Sequence, residues 1–96
     1  MQLPSITALQ YLVLTAVMNE TQAGSVIRQR LERYGAKKSL AAFYQLAGRL
    51  EQAGLIHGWY VVKEEGDLTY RERLYRITDE GRAAVEQARA FFAEGR

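Results

Sequence analysis

The stretch Ser39–Ile56 constrains the chain more than any other, because it reads as one capped helix that hands over to a strand. Ser39 is a good N-cap: its hydroxyl can accept from the free backbone N–H groups of the first turn. Gly54 is a good C′ residue, since it takes positive φ without a Cβ clash. Between these caps, over 40–53, Phe43, Ala47 and Leu50 fall at i, i+4 and i+7 with Leu46 beside them, forming one apolar face. The opposite face carries Ala41, Ala42, Gln45, Arg49 and Gln52: small, then amide-bearing, then cationic. Such a face can lie against a flat polar partner such as DNA. Taken alone, it fits an ordinary amphipathic surface helix better.

The chain before and after this helix narrows the choice. Its 96 residues make one domain, 1–96, and small domains gain from a partner copy that covers more apolar area. Hydrophobic residues are 48% of the total and charged residues 25%, a globular balance that argues against disorder. The charge is unevenly placed. Residues 24–49 hold Arg28, Arg30, Arg33, Lys37, Lys38 and Arg49 against Glu32 alone, while acids outnumber bases in the remainder. A basic third that contains the central helix is a candidate footprint for phosphates. There is no cysteine, so disulfides and thiolate metal sites are excluded. The apolar run Ile6–Met18 is too short to span a bilayer and lacks the flanks of a signal peptide, so a cytoplasmic protein with no membrane partner is expected.

In chain order, Met1–Pro4 is expected to be a loose end, and Ser5 or Thr7 can cap a first helix running to about Asn19. That helix is apolar nearly all round (Ile6, Leu9, Leu12, Val13, Leu14, Val17), so one side is expected to meet its own core and the other a second copy. Residues 19–24 read as a loop. A second helix follows from about Gly24 to Tyr34, with Ile27, Leu31 and Tyr34 inward and Gly35 ending it. Ala36–Lys38 links it to the Ser39 cap, and a very short strand can sit at Lys38–Ser39. Two short helices joined by a tight basic turn form a helix-turn-helix pattern. After Gly54, residues 55–64 and 68–77 are rich in strand formers and flank the turn residues Glu64, Glu65, Gly66 and Asp67, which predicts an antiparallel hairpin. Thr78 caps a last helix over 78–94, with Asp79 and Glu80 in its first turn and Gly95 at its end. The order α-α-α-β-β-α is a mainly α fold with a small β-hairpin, a winged helix-turn-helix. It is expected to dimerise through its N- and C-terminal helices, using Ile6, Leu9, Leu12, Val13, Val85, Ala88, Phe91 and Phe92.

Enzyme chemistry finds no support. His57 is the single histidine, Ser39 lacks a His–acid pair, no glycine-rich phosphate loop occurs, and acids at a turn are far more often solvated than metal-bound. No metal or cofactor is implied. In a helix-turn-helix, the N-terminal residues of the second helix approach base edges, here Ser39, Ala41, Ala42, Tyr44 and Gln45, with Arg49 one turn on. Gln45 can pair with adenine, and Arg49 can reach guanine or phosphate. Arg28, Arg33, Lys37 and Lys38 are better placed for phosphates. Lys63, Arg71 and Arg73 can add phosphate contacts from the arms of the wing, whereas Glu64, Glu65 and Asp67 at its tip would repel them. Tyr44 fits half-buried packing as well as a base contact.

The run 43–56, then Gly58-Trp59, then 73–82 (Arg-Leu-Tyr-Arg-Ile-Thr-Asp-Glu-Gly-Arg) resembles the PadR family of bacterial transcriptional regulators, over roughly Ile6 to Phe92. The resemblance implies a homodimeric winged-helix repressor of the compact subgroup, bound to double-stranded DNA and so associated with the nucleoid. It also implies a C-terminal helix that packs on the partner's N-terminal helix, and in some members a small aromatic effector. Gln45 stands where many members carry proline. Two other readings remain open: a winged-helix protein-interaction module, suggested by the modest net charge and acidic wing tip, and an aromatic-ligand sensor, which Trp59 fluorescence would report.

Overall fold

In the computed structural model, which describes residues 3–94, the Ser39 hydroxyl accepts from the Ala42 backbone N–H at 3.1 Å and opens a helix over Leu40–Gln52. Its end is closed as glycine chemistry dictates. Gly54 takes a φ of 75°, and the Leu55 N–H reaches back to the Leu50 carbonyl at 2.9 Å. Phe43, Ala47 and Leu50 are buried, as their spacing requires. The elements in order are α1 (Ala8–Ala16), β1 (Gln22–Ala23), α2 (Gly24–Arg33), α3 (Leu40–Gln52), β2 (Ile56–Glu65), β3 (Leu68–Ile77) and α4 (Asp79–Glu94).

The fold is a winged helix-turn-helix whose sheet has three strands in the order β1-β3-β2. β2 and β3 form the wing, in register from Ile56 opposite Ile77 to Glu65 opposite Leu68, and Gly66 turns the chain at φ 60°. The short strand expected at Lys38–Ser39 lies instead at Gln22–Ala23. There it pairs antiparallel with Tyr75 and Leu74 inside the expected 19–24 loop. Two residues are too few to show alternation, so the sequence carries no strand signal there.

α1 also ends sooner than expected, at Ala16 rather than Asn19. Val17 and Met18 donate to Leu14 and Thr15, three residues back, so the last turn tightens and stops. Of the two caps the sequence offers, Thr7 is the one used, in a reciprocal capping box with Gln10. Thr78 opens α4 by accepting from the Gly81 N–H at 3.0 Å, and also donates to the Gly54 carbonyl at 2.6 Å, which ties the last helix to the end of α3. Met1, Gln2 and the expected helix stop Gly95 lie outside the described residues.

The core gathers Val13, Leu14 and Val17 from α1, Ile27 and Leu31 from α2, the inner face of α3, Ile56, Tyr75 and Ile77 from the sheet, and Val85 from α4. Each Val, Leu, Ile or Phe among them contributes roughly 1.5–3 kcal/mol through burial. Val13, Val85 and Ala88, expected to face a second copy, lie instead inside this core or its α4 edge and are buried by their own chain. The helix period puts them on the faces where α1 and α4 meet the rest of the domain. Ile6, Leu9, Leu12 and Phe91 stay half-buried, and Phe92 is exposed.

Candidate nucleic-acid interface

The outer face of α3 is free of the core. Ser39, Ala41, Tyr44, Gln45 and Arg49 are exposed, and Ala42 is half-buried. Tyr44, which period alone does not place, is 42% exposed, with its ring 6.1 Å from that of Phe43. The inner ring is core and the outer one is available.

Basic groups precede this face in the turn between the helices, where Lys37 is exposed and Lys38 half-buried, and Arg33 is exposed at the end of α2. Arg28 reaches across from α2, where its Nη2 donates to the Lys38 carbonyl at 3.1 Å and so fixes the turn between the two helices. Its Nε is buried without a partner among the described residues. Between α2, the start of α3 and the wing lies a pocket of about 280 Å³, lined among others by Gly24, Arg28, Phe43, Tyr44, Tyr70 and Arg71. Gly24 makes this approach possible, since a Cβ there would come 3.2 Å from the Phe43 ring.

The wing arginines differ from one another. Arg71 is exposed, with its guanidinium 4.5 Å from the centre of the Tyr60 ring, a cation–π contact that leaves the outer side of the cation open. Arg73, expected to contact phosphate, is turned inward and donates to Glu51 of α3 at 2.7 Å. Burial alone would lower its affinity for the proton. The Glu51 hydrogen bond and charge outweigh that and hold the guanidinium above its ordinary range. Lys63 sits 4.0 Å from Glu72 with its side chain half exposed, a weak pair that leaves it free to turn outward. Glu64, Glu65 and Asp67 are exposed at the tip, where their charges were expected to repel phosphate.

Sequence reading missed Glu51, Tyr60 and Tyr70. Glu51 lies 22 residues from its partner, and no local pattern reports such a contact. The tyrosines were within reach: a two-residue turn fixes the register, and Tyr60 then falls opposite Arg73 and Lys63 opposite Tyr70.

A family model described as transcriptional regulator PadR-like matches residues 13–87. The chain belongs to that family. Solved structures agree on the fold of this PadR-like chain. A PadR family transcription regulator from Clostridium difficile R20291 superposes with a TM-score of 0.76 at 17% identity, covering 91% of this chain and 88% of that one. One from Eggerthella lenta DSM 2243 gives 0.70 at 27% identity, covering 88% and 71%. Bacillus subtilis PadR, solved in complex with operator DNA, gives 0.66 at 17% identity over 84% of this chain and 47% of that longer one. Comparison with curated proteins finds no match. Among the described residues, no helix is long and apolar enough to cross a membrane.

Proposed function

We propose that this PadR-like chain is a sequence-specific DNA-binding regulator, acting as a homodimeric repressor that reads the major groove with α3. The observation that carries the reading is the exposed α3 face bearing Ala41, Tyr44, Gln45 and Arg49, with exposed Lys37 just before the helix and Arg71 across a pocket from Leu40 and Tyr44. Small residues allow close approach, Gln45 and Arg49 supply donors for base edges, and the other cations supply sequence-independent affinity. Membership of a regulator family and the operator complex of the Bacillus subtilis relative support the same reading.

Selection of bound DNA from a random pool, followed by anisotropy titrations across salt, tests it. The affinity should fall with a log–log slope of about −0.9 for each phosphate contact. Lys37→Ala with Lys38→Ala should weaken all sites alike and flatten the slope. Gln45→Ala and Arg49→Ala should each cost about 1–3 kcal/mol on the selected site and little on random DNA. A chain that retains no DNA at low salt would sink the proposal. A reporter carrying the selected site at its promoter should be silenced by the protein.

A further inference from the structure

Arg73 and Glu51 join the end of α3 to the middle of β3, two residues along the strand from Tyr75, which packs on Phe43 of the same helix. Glu51 lies in the last turn of α3, and Arg73 lies halfway along β3. Their contact is 2.7 Å, and the two side chains keep only 20% and 25% exposure. The guanidinium is centred 4.7 Å from the Tyr60 ring and 5.6 Å from the Tyr75 ring, so aromatic faces bound it as well. Gly58 on β2 leaves the slot open. A Cβ there would come 2.7 Å from Glu51 Oε1 and 3.0 Å from Arg73 Nη2. Beyond this point residues 62–71 are all exposed, so no buried side chain anchors the outer wing. Five residues of strand separate Arg73 from Leu68, or about 16 Å of lever at 3.3 Å per residue. A tilt of ~10° at the slot therefore moves the tip by ~3 Å, the length of a hydrogen bond.

We propose that the Glu51–Arg73 pair is a positioning strut. It fixes the wing's angle to the reading helix, and Arg73 influences DNA binding through it rather than by touching phosphate. The proposal rests on the DNA-binding reading, and the two can fail separately. It also fixes the sign of one result. If Arg73 were a phosphate ligand restrained by Glu51, removing the acid would free a cation and tighten binding. A strut demands the reverse.

The test uses Glu51→Gln, Arg73→Gln and the double variant of the full chain on the selected DNA. Each single variant should weaken binding roughly tenfold, the size of coupling common between contacting residues. The double should be no weaker than either single, and all three should keep the wild-type salt slope. Tighter binding by Glu51→Gln, or a slope reduced by about 0.9 in Arg73→Gln, would overturn the strut. A readout without DNA accompanies this. The chain has no cysteine, so Gln52→Cys and Asp67→Cys, both on exposed residues, accept a pair of spin labels. Their distance distribution should be narrow, and should shift and broaden when Glu51→Gln is added to a chain that still melts cooperatively. An unchanged distribution would refute the proposal. A wild-type chain without DNA affinity would overturn the regulatory reading and the strut's part in it, while the label distances would still decide whether the pair sets the wing angle.

Discussion

Tyr75 shows how much one side chain can hold that its neighbours in sequence do not announce. Its ring is fully buried and meets Phe43 edge-on, with centroids 6.0 Å apart and planes at 86°. Its hydroxyl is buried without a hydrogen-bond partner among the described residues. Burial pushes the phenol up to about 12, with the Arg73 cation partly opposing. The raised value belongs to the folded state, so the folded chain keeps this proton while the unfolded chain, near pH 10, releases it. The stabilisation is fully present below pH 10 and is lost as pH rises towards 12, by roughly 2–3 kcal/mol. Tyr75→Phe removes both that dependence and an unpaired hydroxyl. It should leave stability at pH 7 unchanged or raised by about 1 kcal/mol, and it should flatten the pH 10–12 branch relative to wild type in urea melts. A steeper branch in the variant would contradict this account. The sequence placed Tyr75 on a strand and no further. Whether an aromatic hydroxyl meets water or the core depends on which strand face the helices cover. Tyr44 posed the same problem in reverse and proved to be exposed.

At the scale of elements, two glycines of opposite character separate what local pattern reveals from what packing decides. Gly48 lies inside α3 with nothing within 4 Å of a would-be Cβ. Gly48→Ala should therefore stabilise by about 0.5–1 kcal/mol through helix propensity. Gly81 begins α4 against the Leu55 carbonyl, and a Cβ there would collide with that backbone oxygen and come 2.7 Å from Ile77 Cγ1. The backbone cannot give, because the Leu55 carbonyl accepts from the Thr78 N–H at 3.1 Å and holds the start of α4 to the end of α3. Gly81→Ala should cost about 3 kcal/mol or more in the same melts, and a neutral result would refute that docking. Both positions read as helical glycines in the sequence. Capping, period and turn chemistry made α3, the hairpin and the Thr78 cap legible, because those signals are local. β1 and the Glu51–Arg73 contact were not, since each joins segments whose meeting depends on the finished fold.

At the scale of the whole molecule, the question is what covers the apolar side chains left outside. The chain is elongated, 54 by 27 by 21 Å, with the wing far from the core. α1 and α4 lie against each other, and Arg89 Nε donates to the Tyr11 hydroxyl at 3.1 Å across their contact. Ile6, Leu9 and Leu12 are half-buried at the core's edge, and Phe91 and Phe92 stack edge to face at 5.4 Å beyond it. Phe92 is 58% exposed. A second copy laying its own α1 and α4 here would bury what one chain leaves wet, and a two-fold dimer would present two α3 helices to successive major grooves. Val13, Val85 and Ala88 cannot report on this, because replacing them would damage the monomer core. Phe92 can: it gives its own chain little, so Phe92→Glu should leave the fold of an isolated chain intact while placing a charge in the contact between copies. Light scattering at micromolar concentration should give twice the chain mass for wild type and the single-chain mass for Phe92→Glu with unchanged helicity. Thermal midpoints should rise with protein concentration in wild type and stay flat in the variant. A wild-type chain that scatters as a monomer would refute the dimer. A variant that keeps the doubled mass would move the contact away from Phe92.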